Sequence, residues 1–300
     1  MTQIFPEIPL AAWRPTKDTL HLFCQIVGKI RLAMHPQMNH WWHVPLYVTP
    51  RGLSTRTIPY AAGNFEIEFD FGTDRLVITT NTGRQEDFAL YDGLTVADFY
   101  SSIFANLAKL GIEPSIKPLP YEAPSTTPFP ENVKNKSYDK EYVRRFHQTL
   151  VTVDGILNEF RGRFLGKSTP VHMFWHSFDL ALTRFSGKSV TPRDGAGMVE
   201  REAYSHEVIS FGFWFGDDKV PAPAFYAYVA PEPAGLADEP LTPASAQWAE
   251  SNGAHLAMLM YEDVRTSDDP AVTVLNFLES AYQAGAKCAG WDIAGLKMKF

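Results

Sequence analysis

Apolar residues recur every three to four positions in four stretches of the chain, and this spacing predicts four amphipathic helices. The predicted helices cover about residues 17–34, 96–110, 139–164 and 270–284. In the first of them, Leu20, Phe23 and Val27 lie on one face. We expect residues 1–15 to be extended and Thr16 to cap the first helix.

The apolar period changes to two between the helices, which predicts β-strands. In the clearest case Phe65, Ile67 and Phe69 alternate with acidic residues, as in a strand with one buried and one wet face. The predicted strands cover residues 43–49, 64–71, 75–80 and 84–90 in the first half and 171–185, 206–215, 224–230 and 255–261 in the second. The short turns between them predict antiparallel meanders.

A proline-rich segment, Pro114–Ser137, separates two similar halves of the chain. Its six prolines keep it out of helix interiors and sheet centres. We therefore expect a first α+β repeat at 1–113, a linker at 114–137 and a second α+β repeat with loop insertions at 138–300. Each half has the predicted order helix, four-stranded antiparallel meander, helix. This plan is similar, as a topological analogy only, to TATA-binding-protein-like folds.

A short motif supports the two pseudo-repeats. Trp42-His43 is followed by Arg51, and Trp175-His176 is followed by Arg184, so both halves contain Trp-His-x7-Arg after a predicted helix. Together with the matching order of elements, the motif favours an internal duplication over coincidence.

Composition and charge narrow the class of protein. The chain has 300 residues and a formal net charge of −7, which argues against binding to nucleic acid or to an anionic membrane. The first residues, MTQIFPEIPLAAW, lack the basic and apolar regions of a signal peptide, and no apolar run is long enough to span a bilayer. We expect a cytoplasmic protein whose partner is a small molecule, while its oligomeric state stays open.

Nine histidines provide candidate metal ligands. His43, His172 and His206 are the candidates for holding a divalent transition metal, which would have to be assembled from separate strands. A site within one strand is disfavoured, because His172 and His176 would lie ~13 Å apart. The alternative is that these histidines bond to carbonyl or carboxylate groups inside an aromatic core.

Acid–base catalysis is the second candidate chemistry. His206 and Glu207 are the candidate catalytic groups, because a nearby carboxylate can hold a histidine in one tautomer. His40 joins them, since it has no counterpart in the other half. The alternative is that His206 and Glu207 form an exposed strand end.

Ligand-binding residues are predicted from two patterns. Arg51 and Arg184 each follow apolar strand residues and could bind a carboxylate or phosphate, or could pair with an acidic side chain such as Asp179 or Glu207. Four aromatic residues are expected to line a pocket between the repeats, with plain core as the alternative: Trp42, Trp175, Tyr204 and Trp214.

Two functional hypotheses follow from these candidates. The first is an enzyme that processes a small molecule in a His-rich aromatic pocket, with or without a metal. The second is a non-catalytic binding or assembly protein whose histidines are structural.

Three sequence strings resemble a known family. They are LHLFCQIVGKIRLAMHPQMNHWWHVPLYVTPRGLST, PVHMFWHSFDLALTRFSG and EAYSHEVISFGFWFG. Together they resemble the bacterial family catalogued as domain of unknown function 5996, over nearly the whole chain. The resemblance implies a single protein of conserved length without extra modules, and it supplies no activity, cofactor or catalytic residue.

Overall fold

The computed structural model describes residues 5–123, 125–251 and 253–299, which form an α+β fold with two antiparallel sheets. The six α-helices in these residues are α1 (Leu10–Met34), α2 (Val96–Lys109), α3 (Lys140–Gly162), α4 (Met198–Ala203), α5 (Tyr261–Arg265) and α6 (Pro270–Cys288). The four predicted helices correspond to α1, α2, α3 and α6. Helices α4 and α5 are too short for a 3.6-residue period to be visible in the sequence. Within the described residues, no helix is long and apolar enough to cross a membrane.

Helix α1 begins well before the predicted start at residue 17. The prediction that residues 1–15 are extended is wrong from Leu10 onward, and residues 1–4 lie outside the described part. Leu10 and Trp13 are buried in the core, and this burial outweighs the cost of Pro15 inside the helix.

Thr16 lies inside α1, so the prediction that it is the N-cap is wrong. Its hydroxyl oxygen is 2.9 Å from Ser137 Oγ and accepts the backbone N–H of Asp139 at 3.0 Å. Thr16 therefore ties α1 to the first turn of α3 instead of starting a helix.

The first sheet is built from six strands between α1 and α2. They are β1 (Tyr47–Val48), β2 (Gly52–Ser54), β3 (Ile58–Tyr60), β4 (Gly63–Asp70), β5 (Arg75–Thr80) and β6 (Gln85–Ala89). Their order is β1-β2-β4-β5-β6, with β3 also paired to β4. The prediction of four strands missed β2 and β3, because three residues are too few for a period of two to be recognised.

The alternation in β4 gives this sheet its buried face. Phe65, Ile67 and Phe69 are buried, and Phe69 stacks on Phe99 of α2 with ring centroids 6.1 Å apart. Phe99 in turn stacks on Phe23 of α1 at 4.0 Å. The acidic face of β4, predicted to be wet, is largely buried at Glu68 and Asp70, because both carboxylates pair with Arg51.

The proline-rich segment packs against α2. It contains one 3-10 turn, Phe129–Glu131, and the side chain of Phe129 is fully buried. The carbonyl of Asn132 accepts the backbone N–H of Ala97 at 3.1 Å, in the first turn of α2. The predicted linker is therefore docked on the first half, and the domain boundaries stay a prediction.

The second sheet also has six strands. They are β7 (His172–Phe174), β8 (Asp179–Ser189), β9 (His206–Trp214), β10 (Ala224–Ala230), β11 (Gln247–Ser251) and β12 (Ala254–Met260), in the order β11-β12-β10-β9-β8-β7. The single strand predicted at 171–185 is two strands, because Phe178 adopts a φ of +59° and the chain reverses there. The sequence predicts surface loops at residues 189–202 and 231–252, and this prediction is wrong where most of α4 and all of β11 lie within them.

The two faces of the second sheet differ in what covers them. Leu180, Leu182 and Arg184 alternate toward α3 and α6, and Arg184 stacks on Phe160 of α3. Phe160 also contacts Phe211 of β9, edge to face, at 4.9 Å. On the opposite face, the described residues leave a cleft open, and the candidate site lies there.

The edge strands of the two sheets meet at one point. Leu46 and Met173 exchange two backbone hydrogen bonds, of 2.9 and 2.8 Å, so β7 continues the first sheet beside β1. The indole N–H of Trp175 donates to the carbonyl of Val44 at 3.0 Å. A Cβ at Gly28 would overlap the Trp175 indole, so α1 packs directly on this junction.

The two Trp-His-x7-Arg motifs do not occupy equivalent positions. Trp42-His43 precedes β1, whereas Trp175-His176 follows β7 in the turn to β8. Arg51 lies in a turn with a side chain 62% exposed, while Arg184 lies within β8 and is 1% exposed. The motif therefore gives no support to a duplication.

Candidate functional site

A cleft of about 1030 Å³ lies over the uncovered face of the second sheet, and we call it the sheet cleft. Strands β7 to β10 and β12 form its floor. Its walls come from residues 40–44, from α1, from Tyr121-Glu122 and from α4. The volume is at the upper end of the ~300–1,000 Å³ that is typical of small-molecule sites.

Strand register arranges the floor in rows, because directly paired residues of antiparallel strands point to the same face. Asp179 pairs with Trp214, Thr183 with Ser210, and Phe185 with Val208. The first and last rows lie six positions apart along β8, which corresponds to ~20 Å at ~3.3 Å per residue. The sheet cleft therefore has an acidic and aromatic end, a middle with hydroxyl groups and an apolar far end.

The Asp179 carboxylate marks the first end and is only 7% exposed. Its two oxygens accept hydrogen bonds from Ser177 Oγ and from the hydroxyl of Tyr226. Among the described residues, its partners are thus hydroxyl groups and not a lysine or arginine. Because Ser177 donates to the carboxylate and not to a histidine, it is not arranged as the nucleophile of a catalytic triad.

Tyr226 reaches Asp179 by crossing Gly212, which lies between them on β9. A Cβ at Gly212 would overlap the Tyr226 hydroxyl and the carbonyl oxygen of Leu180, so this position needs glycine for close approach. Burial and the neighbouring Asp179 charge raise the pKa of Tyr226 well above its usual range. The hydroxyl therefore stays a donor at neutral pH.

His176 lies beside this end of the sheet cleft. Burial lowers the pKa of its imidazole, and the charges of Asp179 and Glu122 oppose that shift. The backbone carbonyl of His176 is 2.9 Å from Nε2 of His21 in α1. The centroid of the His176 ring lies 6.2 Å from the centroid of the Tyr121 ring. The structure thus places a neutral imidazole close to the carboxylate.

Hydroxyl groups occupy the middle of the floor. Thr183 Oγ1 and Ser210 Oγ are 2.9 Å apart, and the hydroxyls of Tyr204 and Tyr228 are 3.1 Å apart. Burial raises the pKa of Tyr228 well above its usual range. Since Tyr204 follows α4, its bond to Tyr228 ties α4 to the floor.

Backbone strain is concentrated around the sheet cleft. Six non-glycine residues in the described part have a positive φ, and four of them belong to this region: His40, Trp41, Glu122 and Phe178. Left-handed conformations of this kind cost about 1–3 kcal/mol each and persist where the surrounding structure enforces them. Such residues cluster at functional sites, which favours the cleft over an ordinary surface depression.

Of the predicted catalytic residues, the structure brings two together. The rings of His40 and His206 lie 5.4 Å apart at the apolar end of the cleft, and Lys167 Nζ donates to His40 Nε2 at 2.9 Å. Burial, reinforced by the Lys167 charge, lowers the pKa of His40. Glu207 points to the other face of β9 and lies 3.6 Å from Lys188, so it does not join them.

The predicted metal ligands His43, His172 and His206 are not brought together. In residues 5–123, 125–251 and 253–299, no group of three or more His, Cys, Asp or Glu side chains is placed to hold a metal ion. The strand register gives the reason. His172 pairs with Ala181 of β8, and Ala181 pairs with Gly212 of β9. Because Gly212 lies ~20 Å along β9 from His206, His172 and His206 are far apart. The prediction that His43, His172 and His206 form a metal site is therefore wrong for the described residues.

The predicted ligand-binding residues divide into two groups. Trp42, Trp175, Tyr204 and Trp214 all line the sheet cleft. Neither Arg51 nor Arg184 does: Arg51 pairs with Glu68, and the guanidinium of Arg184 is buried against the rings of Phe160 and Tyr282. Arg51 thus pairs with acidic side chains, as the alternative prediction had it, but its partners are Glu68 and Asp70 and not Asp179 or Glu207.

Sequence reasoning missed Asp179 as a site residue and considered it only as a partner of arginine. A signal was available, because a single carboxylate begins the mainly apolar strand DLALTRF on the face that alternates through Ala181 and Thr183. Its partner Tyr226 could not be assigned, since the two residues meet only across β9.

Comparison with known proteins gives a family and no further relative. No curated protein and no solved structure matches the chain. A family model, described as a family of unknown function, DUF5996, matches residues 5–298, and the chain therefore belongs to that family.

Proposed function

We propose that this protein binds a small organic molecule in the sheet cleft. The observation that carries the proposal is the cleft itself, about 1030 Å³ of space over an otherwise packed sheet. Solvent-facing strand positions are normally polar, yet Phe185, Val208 and Trp214 face this space. Aromatic walls with a few converging polar groups are typical of small-molecule sites.

The catalytic form of this proposal is acid–base chemistry on the bound molecule. Its support is the carboxylate of Asp179 close to the neutral imidazole of His176, because these are the groups that general acid–base catalysis uses. The alternative is a non-catalytic binding protein. Recovery of a bound compound in chemically altered form distinguishes the two.

We also propose that the two halves are diverged repeats with the plan of TATA-binding-protein-like folds. The support is architectural: in each half a long helix precedes an antiparallel sheet and another long helix follows it. The sheet edges meet at Leu46 and Met173, as expected if two repeats form one extended surface.

Partner class and location remain proposals as well. The net charge of −7 and the carboxylates that line the sheet cleft, such as Glu122 and Asp217, disfavour nucleic acid as the partner. The two cysteines, Cys24 and Cys288, are both free, which is consistent with a cytoplasmic location.

The test is to fill the cleft from the side of α4. Ala203 lines the cleft, and Ala203→Trp places a large side chain inside it. Compounds that bind the wild-type protein in ligand-observed NMR with a library of small organic molecules should no longer bind this variant.

Ala105→Trp is the matched control, since Ala105 is an exposed residue of α2 and does not line the cleft. This variant should bind the same compounds as the wild type. The proposal fails if Ala203→Trp is folded and still binds them with unchanged affinity.

A further inference from the structure

We infer that the sheet cleft recognises an elongated organic amine, with the protonated nitrogen held at the Asp179 end. This inference rests on the proposed function and names the class of ligand.

The Asp179 end carries an excess of negative charge. Glu122, Asp179 and Asp217 all line it, and the bonds of Asp179 and Asp217 are to hydroxyl and backbone N–H groups. The one lysine in the lining, Lys29, lies with Nζ 5.5 Å from the Trp175 ring. The buried Lys17 pairs with Asp18 at 4.0 Å and does not line the cleft, although its charge also interacts with Asp217.

A buried carboxylate without a cation is costly, because water no longer solvates its charge. Asp179 is in that position, at 7% exposure and with hydroxyl partners only among the described residues. A ligand ammonium group would supply the missing positive charge and donate charge-assisted hydrogen bonds to the carboxylate.

Aromatic rings surround the same point. Trp214 is the cross-strand neighbour of Asp179, and its ring lies 5.6 Å from that of Tyr226 at an interplanar angle of 59°. Tyr226 stacks on Tyr228 at 6.2 Å. The electron-rich faces of tryptophan and tyrosine attract organic ammonium groups, and an aromatic cage beside a carboxylate is selective for them.

The remaining floor residues indicate the kind of group that is attached to the amine. From Asp179 the floor runs ~20 Å past the hydroxyls of Thr183 and Ser210 to the apolar pair Phe185 and Val208. An apolar chain or ring system attached to the amine fits this course. A compact ion would leave the apolar end empty.

Three probes with one apolar body test the inference: 4-phenylbutylamine, 4-phenylbutan-1-ol and 4-phenylbutanoate. They are cationic, neutral and anionic at pH 7, and their affinities are compared by isothermal titration calorimetry. We expect the amine to bind at least about tenfold more tightly than the alcohol, and the carboxylate to bind most weakly.

Asp179→Asn should remove the preference for the amine, by about tenfold or more, and leave the affinity for the alcohol within about twofold. Asp263→Asn, at an exposed position of α5, is the matched control and should change neither affinity. The comparison of the three probes on the wild-type protein needs no variant, so the test stands even if Asp179→Asn does not fold.

The outcomes separate the inference from the proposed function. If the alcohol or the carboxylate binds as tightly as the amine, and Ala203→Trp abolishes that binding, the amine inference is overturned while the cleft remains a binding site. If the wild type binds none of the three probes, the amine inference is overturned. If Ala203→Trp also retains every binder from the NMR library, the cleft itself fails.

Discussion

Tyr226 donates its hydroxyl hydrogen to Asp179 across the backbone of Gly212, so three neighbouring strands meet in one contact. The bond keeps a phenol and a carboxylate at the floor of the sheet cleft, where the absence of a side chain on Gly212 makes the crossing possible. Shape and polarity of this end of the cleft therefore depend on a residue that carries no functional group.

Gly212→Ala should displace Tyr226 and lower the free energy of unfolding by about 1–3 kcal/mol, because the new methyl group would overlap the Tyr226 hydroxyl and the Leu180 carbonyl. Urea denaturation measures the loss. Gly155→Ala is the matched control: Gly155 lies in α3 with open space around it, so the substitution should stabilise the helix by up to about 1 kcal/mol. Equal effects of the two substitutions would contradict the role of Gly212.

The elements that the sequence predicted well carry local signals. Helix α2 starts at its predicted residue because Thr95 accepts the backbone N–H of Asp98, and strand β4 shows its alternation over eight residues. The start of α1 was missed because Pro15 resembles a break, while the burial that permits it comes from tertiary packing. A local sequence pattern predicts a helix or strand correctly only where contacts with distant parts of the chain do not change the local conformation.

The site was less predictable for a related reason. Trp175 and Trp214 line the sheet cleft, where the sequence predicts pocket aromatics, and their part in ligand binding stays a prediction. The pairing of Asp179 with Tyr226 depends on which strands are neighbours, and that order is not readable from periodicity. The predicted cluster of His43, His172 and His206 is wrong, because residues of the same type can lie far apart along a sheet.

The buried His172 makes the free energy of unfolding depend on pH. Burial, with the charges of Arg56 and Arg31, lowers its pKa to about 3. Between the ordinary histidine pKa of ~6.5 and about 3, the unfolded chain binds a proton that the folded protein does not, so stability falls as pH falls across this window. The loss is at most about 1.4 kcal/mol per pH unit for one histidine.

His172→Leu should therefore flatten the fall in stability between pH 6.5 and 4.5, measured by urea denaturation at several pH values. At pH 7 it should stay within about 1.5 kcal/mol of the wild type, since the volume is similar and neither ring nitrogen has a hydrogen-bond partner among the described residues. His21, whose pKa is also lowered to about 3 by burial, retains its share of the slope. An unchanged slope in the variant would exclude His172 as a source.

The two arginines predicted to bind ligand should differ in their effect on stability. Arg184 is 1% exposed and lies 3.6 Å from the Phe160 ring centroid, so Arg184→Ala should cost about 2–5 kcal/mol through the cavity and the lost stacking. Arg51→Ala removes an exposed partner of Glu68 and should cost about 1 kcal/mol or less. Denaturant unfolding of the two variants measures both losses of stability. Similar losses would contradict the prediction that the burial of Arg184 makes its replacement more destabilising.

Helix α4 should behave as a movable wall of the sheet cleft. Its contacts include the hydroxyl pair of Tyr204 and Tyr228 at 3.1 Å, the bond from Trp41 Nε1 to the Val199 carbonyl at 3.1 Å, and the ion pair of Glu200 with Arg193. Tyr204→Phe removes one of them and keeps the ring. Because a single hydrogen bond contributes about 1 kcal/mol net, amide hydrogen exchange in residues 198–204 should become on the order of fivefold faster.

Tyr91→Phe is the control for this experiment, since Tyr91 is an exposed residue of the first half, away from the cleft. It should leave exchange in residues 198–204 unchanged. Global stability of Tyr204→Phe should stay within about 1.5 kcal/mol of the wild type, because the substitution removes a single hydrogen bond and keeps the ring. Exchange that stays at the wild-type rate would contradict the role of the Tyr204 hydroxyl and would mean that the remaining contacts of α4, such as those of Trp41 and Arg193, are sufficient to hold it.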